Sequence, residues 1–306
     1  MAMTLMTNIG NLIYPGIQLI FNKAMKRPRV LQYKPLVMER TVRDYYGYYE
    51  TMGNLGPAQV FVEGNSINYD RIRHNNRTTI TAQVIAKGVQ GTMQAMHFDL
   101  YDEIKKNFGA PILDTLINKK ERIVADQYND SFSTTAADGK YVVDDDHPLL
   151  ESALVNNNLA SGELLPDNIM DAKNQFNFIY DQAGEFFPTR PTHLAVHPNK
   201  MYRVLAILNS NLMALELSNT KNTLQDYQPI KVITNQYFDY NTTTEVSPWF
   251  LLDKTLEAGC VLQKSKGIEL NTRWDWDNLT YKGVAYEIYN AGFIAPGYGI
   301  VGSPGS

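Results

Sequence analysis

This chain of 306 residues has only one cysteine, no excess of positive charge and few long apolar runs. The single cysteine, Cys260, cannot form an intramolecular disulfide or build a zinc site alone, which indicates a reducing compartment. The 28 basic and 32 acidic residues give a net charge of −4, which disfavours a nucleic-acid reader that depends on bulk positive charge. The apolar stretch 12–21 is broken by Pro15 and Gly16, so we expect neither export nor a membrane span.

Acidic residues are absent from positions 1–38, and this segment is therefore strongly basic. Pro28 and Pro35 interrupt it, so a long helix is not predicted there. Two interpretations stay open, a basic arm that lies on an acidic partner or near nucleic acid, and a solvated terminal tail. The cations of this basic segment are Lys23, Lys26, Arg27, Arg29 and Lys34.

Residues 37–87 predict a long antiparallel hairpin, with strands at 58–63 and 77–86. The sequence between the two strands is rich in turn formers and cations. A two-stranded hairpin is marginal in water by itself, so this one needs a surface in the same chain or in a neighbour.

Two helices are predicted next, at 93–108 and at about 111–130. Gly109 fits a C-terminal cap of the first, and Pro111 suits the first position of the second. The second helix would be about 30 Å long at about 1.5 Å per residue, long enough to act as a strut for a domain. Its apolar stripe consists of Ile112, Leu116, Ile123, Val124 and Tyr128.

A polar loop at 133–146 precedes a segment in which helices and short apolar strands alternate, as in a compact α/β unit. The predicted elements are a helix at 166–183, a strand at 192–196, a short helix from Pro198, and strands at 230–234 and 249–253.

The last part of the chain predicts a second long hairpin, which we expect to pack on the strut helix. Its first strand alternates over 267–277, and its second strand, 280–290, places Val284, Tyr286 and Ile288 on one face. The even positions that share a face of the first strand are Ile268, Leu270, Thr272, Trp274 and Trp276.

Motifs of catalysis or cofactor binding are weak, and we predict no catalytic, cofactor or metal residue. Residues 297–302 match GxGxxG, but no helix can follow within four residues. His193 and His197 lie on a predicted strand, where their rings would be roughly 13 Å apart, too far to share a metal. The acidic cluster 144–146 lacks the spacing of a calcium loop and is interpreted as a solvated loop.

The order of these parts resembles that of the tailed-bacteriophage major capsid proteins of the Hong Kong 97 fold. Within that fold the chain is most similar to the Mu-like major head subunit, on the segments 138–149, 164–176, 191–208 and 267–302. The resemblance implies an α+β fold of five parts. These are an N-arm at 1–36, an E-loop at 37–90, the spine helices of the P-domain at 91–137, an A-domain at 138–262, and the closing P-domain strands with the C-terminus at 263–306.

The resemblance also implies a non-enzymatic subunit that assembles into hexamers and pentamers of an icosahedral shell around double-stranded DNA. Such a protein would be assembled in the host cytoplasm and would reside in the virion. Its expected partners are further copies of itself, a portal, a scaffolding protein and in some shells a decoration protein, with weak non-specific contact to DNA. Two alternatives are an encapsulin-like compartment that holds an enzyme, and a metal-dependent hydrolase that uses His147, His193 and His197.

Two departures from the resemblance matter. Some shells of this fold are crosslinked through a lysine of the E-loop, but no lysine occurs between positions 37 and 86. Arginine stays protonated and is a poor nucleophile, so we expect no such crosslink. No long charged helical scaffolding segment is seen, so scaffolding is expected from a separate protein or the chain starts at a mature terminus. The arginines expected to contact neighbouring subunits are Arg40, Arg43, Arg71, Arg73 and Arg77.

Overall fold

The computed structural model gives helices and strands that follow the predicted order. It describes the following residues: 19–52, 55, 58, 60–64, 66–67, 69, 74–97, 110–150, 152–210, 221–222, 224, 230–256, 259–295 and 297–305.

The strands in these ranges are β1 Met38–Thr41, β2 Tyr46–Met52, β3 His74–Thr81, β4 Gln83–Thr92, β5 His147–Pro148, β6 Val155–Asn156, β7 His193–Val196, β8 Lys231–Thr234, β9 Trp249–Leu252, β10 Cys260–Asp275, β11 Thr280–Phe293 and β12 Ile300–Ser303. The helices with both ends in these ranges are α1 Met93–His97, α2 Ala110–Asn129, α3 Pro166–Gln175 and α4 Met201–Asn209, and residues 19–25 are helical as well.

A four-stranded sheet in the order β1-β10-β11-β4 forms the long axis of the fold, and we call it the long sheet. The long strands β10 and β11 pair in antiparallel register from Cys260 opposite Phe293 to Asp275 opposite Thr280. This confirms the predicted closing hairpin. β1 pairs with β10 in parallel, and β4 pairs with β11 in antiparallel register, so segments far apart in sequence complete the sheet.

The strut helix is α2, and it packs on the long sheet as predicted. Its first half contacts Leu270, Tyr281 and Ala285, and its second half contacts Leu262 and Tyr289. Burial of one large aliphatic side chain contributes about 1.5–3 kcal/mol, so this apolar contact supplies most of the stabilisation between helix and sheet. The buried residues of α2 are Ile112, Leu113, Leu116, Lys120, Glu121, Val124, Ala125 and Tyr128.

A buried ion pair lies in the middle of this apolar contact. Lys120 Nζ of α2 is 2.5 Å from Glu287 Oε1 of β11, and the two side chains are 6% and 3% exposed. The Nζ atom also lies 4.8 Å from the ring centroid of Tyr289 and 5.8 Å from that of Tyr33. Burial lowers the pKa of Lys120, and the nearby Glu287 carboxylate opposes this effect.

The second sheet has the order β12-β9-β7-β8 and forms the centre of the α/β segment. β7 and β8 are parallel, whereas β9 is antiparallel to both β7 and β12. α3 and α4 cover one face through Ile169, Ala172, Val204 and Ile207, all of which are buried. All four residues of β9 and of β12 are buried, and β9 appears in the sequence as a short continuous apolar run.

The predicted hairpin at 37–87 is wrong in its details. Met38–Thr41 leaves the hairpin to pair with β10, residues 60–62 belong to no strand, and the predicted strand 77–86 is divided at Ala82. β3 pairs with β2, and β4 joins the long sheet. Ile80 and Ala82 are buried as the alternation predicts, but Val84 is 63% exposed, so the buried face changes together with the pairing partner.

The predicted helix at 166–183 ends earlier, at Gln175. A 3₁₀ turn at Phe176–Phe178 follows, in which Phe176 stays buried. A 3₁₀ turn brings residues i and i+3 to one side, so Phe176 and Ile179 continue the apolar pattern beyond the end of the helix. Of the predicted helix at 93–108, α1 lies within the described residues, and positions 98–109 lie outside them.

The two faces of the closing hairpin are only partly as predicted. Leu270 is buried on the even face of β10, but Trp276 lies in the turn and is 68% exposed. Val284, Tyr286 and Ile288 do share a face of β11, and it is the outer, partly exposed face. The inner face of β11 includes the charged Glu287. The alternation of apolar residues therefore predicts the wrong face of β11 as the buried one.

Replacing one member of the buried ion pair should destabilise the chain strongly. Lys120→Met leaves the Glu287 carboxylate buried without a partner, and we expect the free energy of unfolding to fall by about 3–5 kcal/mol. In Lys120→Met/Glu287→Leu neither charge remains, and most of that loss should be recovered. Urea denaturation of the purified variants measures both values. Equal losses in the single and double variants would contradict this coupling.

Candidate assembly surfaces

The β2–β3 pair carries an exposed aromatic surface. Tyr45, Tyr46 and Tyr48 are between 48% and 57% exposed, and the Tyr46 and Tyr48 rings stack with centroids 6.3 Å apart. The Arg77 guanidinium lies over the Tyr48 ring at 3.8 Å and is 3.7 Å from Glu50 Oε1. This predicted contact arginine is therefore oriented by its own chain.

Exposed apolar side chains continue into the loop between β2 and β3. Among the described positions of this loop, six large apolar residues are more than half exposed, and Val60 reaches 92%. Such a concentration on one loop indicates a surface that is covered by a partner. The residues are Leu55, Val60, Phe61, Val62, Ile67 and Tyr69.

The base of the β2–β3 pair is fastened to the long sheet by a buried amide. With its amide oriented to satisfy both neighbours, Gln263 of β10 donates to Ile80 O at 3.2 Å and accepts from Gly47 N at 3.3 Å. A Cβ atom on Gly47 would be 1.9 Å from the Gln263 side chain, so only glycine allows this approach. Gln263 thus connects the base of the β2–β3 pair to β10.

The basic segment folds back on α2 in its described part. Gln32 N donates to Glu121 Oε1 at 2.8 Å, Arg29 forms an ion pair with Asp114 at 2.7 Å, and Tyr128 OH donates to Leu36 O at 2.6 Å. Burial raises the pKa of Glu121, and backbone donors from the segment oppose that rise. Residues 29–36 are therefore held against α2.

Three of the predicted contact arginines, Arg40, Arg43 and Arg77, lie within the described residues. Arg71 and Arg73 lie outside the described residues, Arg43 is exposed in a bend, and Arg40 lies 5.6 Å from the centroid of the Tyr49 ring. Their contacts with neighbours stay predictions. Of the basic segment, Arg29 is bound to Asp114, and the exposed cations are Lys23, Lys26, Arg27 and Lys34.

The residues considered for catalysis, cofactor binding or metal binding have structural roles in the fold. Gly297 begins a turn before β12, and its positive φ of 77° and its contact with His147 both require glycine. His193 begins β7, whereas His197 follows it and stacks on Tyr240 at 4.8 Å. Cys260 is fully buried, and burial raises the pKa of its thiol to about 12.

Within the described ranges, no group of three or more His, Cys, Asp and Glu residues is placed to hold a metal ion. The same ranges contain no helix that is both long enough and apolar enough to cross a bilayer.

One buried polar contact was not predicted from the sequence. His147 Nδ1 lies 2.6 Å from Asp138 Oδ2, and His147 Nε2 lies 3.1 Å from Asn158 Oδ1. Asn158 also donates through Nδ2 to Val142 O, which turns its oxygen towards the ring. The contact holds the loop 138–147 beside β12. His147 comes directly after three acidic residues in the sequence, and a polar loop gives no signal of burial.

A second group that the sequence did not indicate lies at one end of the second sheet. His193 and Lys231 are partners in the register of β7 and β8, and Lys254 N donates to Thr192 Oγ1 at 3.0 Å, next to His193. Burial lowers the pKa of His193, and the charges of Lys254 and Lys231 lower it further. Lys231 and Lys254 therefore place two positive charges beside His193 and disfavour its protonated form.

Removing a charge from this group should raise the pKa of His193. We expect Lys254→Gln to move it back towards the ordinary value near 6.5, whereas Lys254→Arg, which keeps the charge, should leave it low. An NMR titration of the imidazole signals, assigned with His193→Gln, measures the shift. An unchanged titration in Lys254→Gln would show that the two groups do not interact.

A long sheet backed by a spine helix, joined to a smaller mixed sheet, is the architecture of a shell-forming protein of the Hong Kong 97 type. Solved structures with this fold support the assignment. The capsid of cyanophage P-SCSP1u aligns with a TM-score of 0.59 at 10% identity, over 88% of this chain and 86% of that one. The mature capsid of bacteriophage PhiM1 aligns with a TM-score of 0.57 at 11% identity, over 91% and 88%.

An encapsulin from Synechococcus elongatus shares the fold as well, with a TM-score of 0.53 at 10% identity over 91% of this chain and 90% of that one. At such low identity these structures demonstrate a common fold only. No curated protein sequence matches the chain.

The family model described as phage capsid protein matches residues 76–299, which is most of the chain. The chain therefore belongs to the phage capsid protein family, with an α+β fold of the Hong Kong 97 type, and its function is that of a major capsid shell protein. This confirms the predicted fold class and general function, whereas the closer relation to the Mu-like subunit stays a prediction.

Proposed function

We propose that this chain assembles into hexamers and pentamers that close into an icosahedral head around double-stranded DNA, and that it has no catalytic role. The observation that carries the proposal is the exposed apolar loop between β2 and β3, in which Val60 is 92% exposed and Phe61 61%. A neighbouring subunit that covers this loop would remove the apolar surface from water, and the basic segment adds a second extended contact.

The proposed partners follow from this arrangement. They are further copies of the chain, a portal and a scaffolding protein, with a decoration protein in shells that need reinforcement. Contact with DNA would be weak, because the net charge of the chain is −4 and no whole-protein basic field attracts phosphate. We place assembly in the host cytoplasm and the finished protein in the virion.

Negative-stain microscopy and sedimentation of the purified chain test the proposal first. Closed shells or capsomer rings are expected, and a homogeneous monomer that stays unassembled with its scaffolding protein would contradict it. The alternative, an enzyme-loaded compartment, is favoured by the shared encapsulin fold. Particles isolated from producing cells separate the two, because a phage head protects DNA from nuclease and an enzyme compartment contains protein instead.

Charge reversal at the loop arginines should block assembly without unfolding the subunit. We expect Arg71→Glu/Arg73→Glu to abolish sedimenting shells, because the reversed charges meet the carboxylates proposed to lie on the next subunit. Arg71→Lys/Arg73→Lys, the matched control, should still assemble, and circular dichroism should show folded protein for both. Shells of normal yield from the reversed variant would remove these arginines from the contact.

Mature particles should contain no covalent oligomers. Because residues 37–86 lack lysine, we expect boiling in denaturant to release a single band at 34.7 kDa. A ladder of higher bands in gel electrophoresis would show that a different residue forms a crosslink.

A further inference from the structure

Unpaired positive charge collects at one end of the second sheet. The group formed by Arg190, His193, Lys231 and Lys254, here called the basic patch, lies where β7 and β8 begin and β9 has just ended. Arg190, Lys231 and Lys254 are exposed, and no ion pair between described residues includes any of them.

The carboxylate nearest in sequence accepts hydrogen bonds from neutral groups and forms no ion pair with the described side chains of the basic patch. Asp253 is buried, and its oxygens accept from Arg190 N at 2.8 Å, from Thr255 N at 2.8 Å and from Thr255 Oγ1 at 2.6 Å. These bonds hold the Asp253 carboxylate within the backbone turn. The patch thus presents a surplus of positive charge that a partner of negative charge would match.

An excess of negative charge lies beside β12, the other edge strand of the same sheet. Asp144, Asp145 and Asp146, here called the acidic loop, include one carboxylate paired within the chain, Asp146 with Lys140 at 2.6 Å. The Asp144 oxygens accept from the backbone of Tyr141 and Asp145. Asp145 is exposed, and no ion pair between described residues includes it.

The basic patch extends over one end of the sheet as far as its edge strand β8, whereas the acidic loop lies beside the other edge strand, β12. Lys231 is on β8, one edge strand, whereas Asp144 bonds through its backbone to Asn158, beside the bridge between Leu159 and Gly302 of β12, the other edge strand. Three strand spacings of about 4.8 Å separate Lys231 from that edge, whereas the other patch residues lie at the ends of the inner strands β7 and β9. No ion pair between described residues joins the patch to the acidic loop. The two surfaces suit a contact in which the basic patch of one copy meets the acidic loop of the next.

We propose that the basic patch binds the acidic loop of the adjacent copy, and that this head-to-tail contact selects ring formation within a capsomer. The inference rests on the proposed assembly into hexamers and pentamers. A contact between two different surfaces of identical chains repeats with one rotation, and it closes into a ring when that rotation is a simple fraction of a turn. Charge complementarity of this kind fixes orientation and excludes pairing of like surfaces.

Three variants test the contact. The first, Lys231→Glu/Lys254→Glu, makes both surfaces acidic, and the second, Asp145→Lys/Asp146→Lys, makes both basic. The third combines all four substitutions, so that the charges are exchanged and the net charge of the wild-type chain is kept. Sedimentation and negative-stain microscopy measure assembly, and circular dichroism measures folding.

We expect the first two variants to stay folded and to lose on the order of tenfold or more of their assembled fraction, because like charges then meet across every contact. The exchanged variant should assemble as the wild-type chain does. An equimolar mixture of the first two should recover rings with an even number of subunits, in which the two variants alternate. Five-membered rings cannot alternate, so the mixture should yield hexamers without closed shells.

The results separate the inference from the proposed function. If the wild-type chain forms no rings or shells, the proposed function itself fails. If the wild-type chain assembles and the first two variants do so equally well, the head-to-tail contact is wrong. If Lys231→Glu/Lys254→Glu assembles normally but its particles retain less DNA, the basic patch binds phosphate instead, and the contact is again overturned.

Discussion

The position of the spine helix on the long sheet depends on one buried contact, the ion pair of Lys120 with Glu287. Apolar side chains supply most of the stabilisation at this interface, but aliphatic surfaces accept several alignments at similar free energy. A buried ion pair tolerates other alignments far less, because any shift of the helix along the sheet would leave both charged groups buried without a partner. We infer that the pair fixes the alignment of α2 with β11, although an apolar pair could stabilise the interface equally well.

The same centre joins the basic segment to the fold. Tyr33 lies over the Lys120 ammonium group, while the adjacent Glu121 carboxylate accepts a bond from Gln32 N. Lys264 of β10 forms an ion pair with Glu39 of β1 at 2.7 Å, which connects the end of the segment to the long sheet. The alignment of α2 therefore also decides where residues 29–39 lie on the subunit.

Local pattern was sufficient to predict the existence and type of α2, β7, β8, β9 and the closing hairpin, although it indicated the wrong buried face for β11. Pairing over long distances in sequence was not predictable, as with β1 on β10 or the division of one extended run at Ala82. Lys120 could have been found, since it completes the four-residue spacing of Leu116 and Val124 on the buried stripe. The basic patch could not, because its members come from three strand ends that only the folded sheet brings together.

Charged side chains therefore have different roles at the contact of α2 with the long sheet and at the edges of the second sheet. Charges at the centre are paired and buried, so they are satisfied before any neighbour arrives and can serve only alignment within the subunit. In the basic patch and at Asp145, the charges form no ion pair within the described part of their own chain, and surface pairs are weak and screened by salt. A single such contact would scarcely hold two subunits together, but a closed ring repeats it at every interface, so weak contacts suffice for selecting the geometry while assembly stays reversible.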